Sequence, residues 1–165
     1  MDPAFAATNR RLGDLQREWE LLKESRQLLF DLNESSGDAK AKAWITNAAL
    51  SAGVSGLYTG MEEVLRGLLS LIDRYIPSSE RSHQELLDQA SVELPGKRPA
   101  VITEAVYLEL SALKEFRHFE RHNYRFRFNT EQVTQNEKRA EDLVPRFIED
   151  VEVFVQAMSS IPDAT

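Results

Sequence analysis

Apolar residues in this chain return every three or four positions, and that spacing admits little besides helices packed on one another. Leu12, Leu15, Trp19 and Leu22 form the first such row and predict a helix from about residue 6 to Leu32. Asn33 to Asp38, containing Gly37, reads as a loop. A second, long helix is expected from about Ala39 to Ile76, ended by Pro77. Its middle is rich in small residues, among them Ala48, Ala52, Gly53, Ser55, Gly56 and Gly60. Glycine inside a helix costs about 1 kcal/mol relative to alanine. Such a run therefore implies another backbone approaching closely, within the bundle or across a dimer.

Ser78 to about Gln89 reads as a shorter third helix opened by Ser78 or Ser79. Ser91 to Pro99, with Pro95-Gly96, is the clearest loop. A fourth helix begins near Ala100 and carries Val106, Leu110 and Leu113 into a cationic segment. Asn129 and Gln132 have the spacing of a capping box and open a fifth helix from about Thr130. Leu143, Phe147, Val151, Phe154, Met158 and Ile161 form its apolar face, and Pro145 is expected to kink or break it. No alternating strand pattern, internal repeat or linker interrupts this layout. The expectation is an all-α bundle of about five helices in a single domain spanning 1–165. Met1 to Phe5 has the character of residues appended in cloning and is given no structural weight.

A length of 165 residues suits one compact domain, and 42% hydrophobic with 28% charged residues is the balance of a globular chain. No apolar run approaches the ~20 residues of a membrane-spanning helix, and no secretory leader is visible. The chain has no cysteine, which excludes disulfides and thiolate chemistry and fits a cytoplasmic location. The net charge of -7 argues against wholesale coating of nucleic acid. Locally the sign reverses. Lys114, Arg117, Arg121, Arg125 and Arg127 stand within fourteen residues, opposed only by Glu115 and Glu120.

The stretch Phe116 to Tyr124 holds two of the three histidines, His118 and His122, beside Arg117 and Arg121. Three readings of it compete. In the first, Arg117 binds a phosphate and His122 moves a proton, so that RNA is cleaved by its own 2′-hydroxyl without a metal. In the second, Glu115, His118 and His122 share one helix face at i, i+3 and i+7 and bind zinc or iron, although Glu62 and Glu63 are the only adjacent acidic pair on the second helix and no second Glu-x-x-His completes a di-iron set. In the third, these are solvated surface residues. Phe116 and Phe119 are read as core, and His83 as a surface or interface residue. One geometric difficulty attends the first reading, because Arg117 and His122 lie ~140° apart around an ideal helix. Either the helix bends or ends near Arg121, or a second copy supplies complementary groups across a two-fold axis.

Arg117-x4-His122-x-Tyr124 resembles the Arg-x(4–6)-His-x-Tyr signature of HEPN ribonucleases, specifically HepT-like toxins. Tyr58 to Leu65 is similar to that family's second-helix segment, Ser82 to Leu87 to its third, and Arg98-Pro99 precedes the motif helix as it does there. The resemblance implies a HEPN-like fold and a homodimer whose two motifs line one cleft for an RNA substrate. It implies a metal-independent endoribonuclease that needs no cofactor. Arg117 and His122 would be catalytic, with His118, Arg121, Lys114 and Arg125 as RNA or phosphate contacts. It further implies a minimal nucleotidyltransferase antitoxin that adds AMP to Tyr124. The alternative is a nuclease-inactive HEPN module that binds a nucleotidyltransferase or nucleic acid as a regulator. This chain departs from many relatives in following the tyrosine with Arg125-Phe126-Arg127-Phe128 where they carry a glycine-like turn.

Overall fold

The computed structural model describes residues 3–79, 81–122 and 129–160, without the side chains of Arg121 and His122. Among the described residues the protein is all-α, with a 3-10 turn at Pro3–Phe5 and five α-helices. These are α1 (Ala6–Glu34), α2 (Ala39–Ile72), α3 (Ser82–Ser91), α4 (Glu104–His122) and α5 (Thr130–Ser159). α2 is the central element and packs against all four others. Its buried row of Val54, Leu57, Met61, Leu65 and Leu68 meets Leu15 of α1, Leu87 of α3, Leu110 of α4 and Phe147 of α5 in one core. Each such side chain contributes about 1.5–3 kcal/mol on leaving water.

The helix starts follow local chemistry. Asp38 accepts hydrogen bonds from the N–H groups of Lys40 (2.7 Å) and Ala41 (3.0 Å) and caps α2. Asn129 does the same for α5, accepting from Glu131 (3.0 Å) and Gln132 (3.4 Å). Three expected boundaries move. α2 stops at Ile72 rather than at Pro77, because Arg74 takes a left-handed φ of 56° and reverses the chain. α3 starts at Ser82 because Ser79 is consumed in a preceding turn, its Oγ accepting from Arg81 N–H at 3.0 Å and its carbonyl from Ser82 N–H at 3.0 Å. α4 starts at Glu104, since Val101 and Ile102 donate their N–H groups to Ala90 O (2.8 and 3.3 Å) and are tied to the end of α3.

Two further expectations are corrected. Pro145 neither breaks nor ends α5, which runs uninterrupted from Thr130 to Ser159. Pro145 is exposed, so the carbonyl one turn back that loses its ladder partner can be satisfied by water. Phe5, given no structural weight from sequence, is fully buried in the core. The small residues of α2 receive α1. A Cβ built on Gly53 would lie 2.5 Å from Leu22 Cδ1, and one on Gly60 would lie 3.1 Å from Leu15 Cδ1. Gly56 and Gly67 likewise leave room only for the ends of Glu18 and Arg11. At these four glycines the close approach is made within the chain.

Candidate active site around Arg117

Arg117 sits on the face of α4 that meets α2 and α3. Beneath it lies Tyr58, fully buried, with the guanidinium carbon 5.5 Å from the ring centroid, a cation–π arrangement. Its Nη1 is 3.5 Å from Oε2 of Glu62, a carboxylate buried in the row of Tyr58, Leu65 and Leu69 on α2. The other oxygen, Oε1, accepts from Arg66 Nη2 at 3.1 Å and from Nδ1 of His83 on α3. One carboxylate therefore gathers cationic or polar donors from three helices. Two guanidiniums against one carboxylate leave formal positive charge in the cluster, and the Arg117 side chain is 20% exposed. A phosphate meets there a cation already oriented by its neighbours, which lowers the entropy cost of binding.

Burial, together with the nearby Glu62 charge, holds the Tyr58 phenol well above the ordinary tyrosine range. Its hydroxyl finds no hydrogen-bond partner among the described residues. Tyr58 is thus a neutral platform for the guanidinium. One turn past Arg117, the Glu120 carboxylate accepts from Ser55 Oγ and fastens the end of α4 to α2.

The other expected contacts divide. Lys114 is on the same side of α4 as Arg117, but its ammonium is held by Gln84 of α3 and by Glu115 at 3.0 Å. His118 is exposed, on the next face around the helix. The backbone stays helical through His122, so positions 117 and 122 lie on different faces of a single helix, as the ideal wheel requires. The side chains of Arg121 and His122, and all of Tyr124 and Arg125, lie outside the described residues.

His83, expected at a surface or interface, stands at an interface, with its side chain 43% exposed and its Nδ1 on Glu62. It closes the cluster from α3, because Glu62 needs donors on the side away from α2. Phe116 is buried as expected, but Phe119 is exposed, since the face it occupies has rotated past the core by the last turn of α4. Glu62, weighed from sequence as a partner for a metal, is instead engaged by two arginines and a histidine. Among the described residues no group of three His, Asp or Glu side chains has metal-binding geometry.

Arg98, noted from sequence only for its place before the motif helix, is the buried staple of the α3–α4 loop. All five of its N–H donors are used: Nε and Nη2 on the Asp73 carboxylate (2.8 Å each), Nη1 on the Val92 and Pro99 carbonyls (2.8 and 3.0 Å), and Nη2 on the Gln89 carbonyl (2.9 Å). Burial alone would raise the Asp73 carboxyl, but the Arg98 and Gln89 hydrogen bonds outweigh it and hold the group below the ordinary aspartate value. This network ties the end of α2 to the loop that leads into α4.

The five-helix, all-α bundle of the described residues, carrying the Arg-x4-His-x-Tyr sequence from α4 onward, is that of a HEPN-like domain. A model of the family described as "HepT-like protein" matches residues 49–158, two thirds of the chain, and the chain belongs to that family. No curated protein and no solved structure gave a match. Among the described residues no helix is long and apolar enough to cross a membrane.

Proposed function

We propose that this protein is a metal-independent endoribonuclease, the toxin half of a toxin–antitoxin pair, acting as a homodimer on RNA. The observation that carries the reading is the pre-oriented Arg117 guanidinium, stacked on Tyr58 and steered by buried Glu62 in a chain of the HepT-like family. Arg117 contacts the scissile phosphate and stabilises charge on its oxygens as the linkage breaks. His122 serves as acid or base, and His118, Arg121, Lys114 and Arg125 contribute to holding the RNA backbone. A two-fold mate supplies the complementary face, since positions 117 and 122 diverge on one helix.

Regulation on this reading is covalent. A minimal nucleotidyltransferase partner transfers AMP from ATP onto Tyr124, and the added phosphodiester charge beside the cleft repels RNA. The decisive experiment is a gel of RNA incubated with the pure protein in EDTA, with His122→Ala alongside. Cleavage by the parent and none by the variant is expected, with helix content and oligomeric state unchanged. A parent that binds RNA or the nucleotidyltransferase without cutting would make the protein a nuclease-inactive regulator instead. For Tyr124, intact mass after incubation with the partner and ATP should rise in AMP steps, and Tyr124→Phe should prevent the rise.

A further inference from the structure

Three elements of the described structure converge on Glu62, and only one of them is accounted for by phosphate binding. Its charge is already met by Arg66 at 3.1 Å and Arg117 at 3.5 Å, so a third donor is not needed to neutralise it. His83 is nevertheless turned so that Nδ1 donates to Oε1. A carboxylate on Nδ1 fixes the tautomer in which Nε2 carries the lone pair, and it stabilises the imidazolium formed when Nε2 takes up a proton. The His83 side chain is 43% exposed, unlike the carboxylate that orients it. Because His83 and Arg117 share one carboxylate, a proton acceptor and a phosphate-binding cation meet at one place within one chain. The motif pair alone cannot do this, since positions 117 and 122 lie on different faces of α4.

We infer that His83 is the general base of this site and Glu62 its positioning residue, an assignment that rests on the ribonuclease reading above. In the step, His83 Nε2 accepts the proton of the RNA 2′-hydroxyl as that oxygen attacks phosphorus. The bond from phosphorus to the 5′-oxygen breaks, Arg117 bears the charge on the non-bridging oxygens, and the leaving oxygen takes its proton from the His122 that a two-fold mate supplies. The products are a 2′,3′-cyclic phosphate and a 5′-hydroxyl. The two histidines then have separate tasks, one at the nucleophile and one at the leaving group.

The bland reading is that His83 only braces Glu62. His83→Asn separates the two, because the asparagine amide can still donate to Glu62 from the Nδ1 position but offers no lone-pair nitrogen to receive a proton. Cleavage of RNA in EDTA is measured for the parent, His83→Asn and His83→Ala, with thermal unfolding as a check that each folds. Both variants should lose at least about 100-fold in rate, with His83→Asn keeping the parent's melting temperature. A second substrate carries sulfur in place of the 5′-bridging oxygen, a leaving group that needs no proton. It should rescue His122→Ala but not His83→Asn. If His83→Asn cleaves like the parent, or is rescued by the sulfur substrate, the assignment of His83 as base is wrong while the ribonuclease reading stands. If the parent itself cuts no RNA, the ribonuclease reading fails and the assignment falls with it.

Discussion

Glu62 and Arg117, one on α2 and the other on α4, are joined across the helix interface at 3.5 Å, with the carboxylate buried and the guanidinium partly open to solvent. The acid cannot follow a moving partner, so the arginine is held where the acid is. This is the reverse of a surface ion pair, in which two long side chains find each other at little net gain.

Replacing Arg117 tests that orientation directly. Arg117→Ala should lower RNA cleavage by about 100-fold or more. Arg117→Lys should recover little of this, because an ammonium neither lies flat on the Tyr58 ring nor grips two phosphate oxygens at once. Single-turnover rates at saturating protein would show it. A lysine variant as fast as the parent would mean that charge alone matters there.

The Arg98 staple predicts a large loss of stability away from the proposed chemistry. Arg98→Ala leaves the Asp73 carboxylate buried without its main partner and should cost about 3–5 kcal/mol, read from urea unfolding at neutral pH. The parent carries the corresponding pH signature. The folded Asp73 carboxyl lies below its ordinary value of 3.8, so its contribution is fully present above that value and is lost as pH falls through the lower, folded one. Arg98→Ala should abolish this part of the acid dependence.

Glu137 has the opposite sign. Burial, with the neighbouring Glu141 charge, raises its carboxyl above the usual 4.5 despite Arg26 Nη1 at 3.1 Å. A group whose folded value is raised contributes most below its unfolded value and loses that contribution as pH climbs through the folded one. Glu137→Gln should therefore gain on the parent between about pH 4.5 and pH 7, and melting temperatures across that range would reveal it. A variant less stable than the parent at pH 7 would show that the Arg26 pairing outweighs burial.

At the α1–α2 contact, Gly53→Val should destabilise by about 2 kcal/mol, because added methyls meet Leu22 and overpacking outweighs the gain in helix propensity. Leu22→Ala introduced beside it should recover part of the loss, visible as non-additivity in a double-mutant cycle.

Much of the architecture was legible because helix periodicity, caps and small residues are local signals. Leu12 to Leu22, the Asn129 cap and the run from Val106 to Leu113 all speak within a turn or two. What failed did so where a distant partner decides. α2 ends at Ile72, where Arg74 turns left-handed and Asp73 is held by Arg98, twenty-five residues later in the chain, and nothing near Pro77 announces that partner. For His83 a surface or interface place was legible from its polar neighbours, but its partner was not, because that partner lies on another helix. A signal for it existed at the other end. Glu62 falls in the row of Tyr58, Leu65 and Leu69, and a carboxylate in an apolar row demands cations from elsewhere. The motif arginine was found by its spacing to the histidine, whereas its orientation belongs to Tyr58 and Glu62, which no spacing rule connects to it.

The glycines of α2 constrain how two copies can associate. Gly53, Gly56, Gly60 and Gly67 are already spent on a neighbour from the same polypeptide. If the protein pairs as proposed, the twin subunit grips some other strip of the molecule. Mutations meant to split such a pair should be aimed at exposed side chains rather than at those notches, where they would unseat the first helix and mimic dissociation by unfolding.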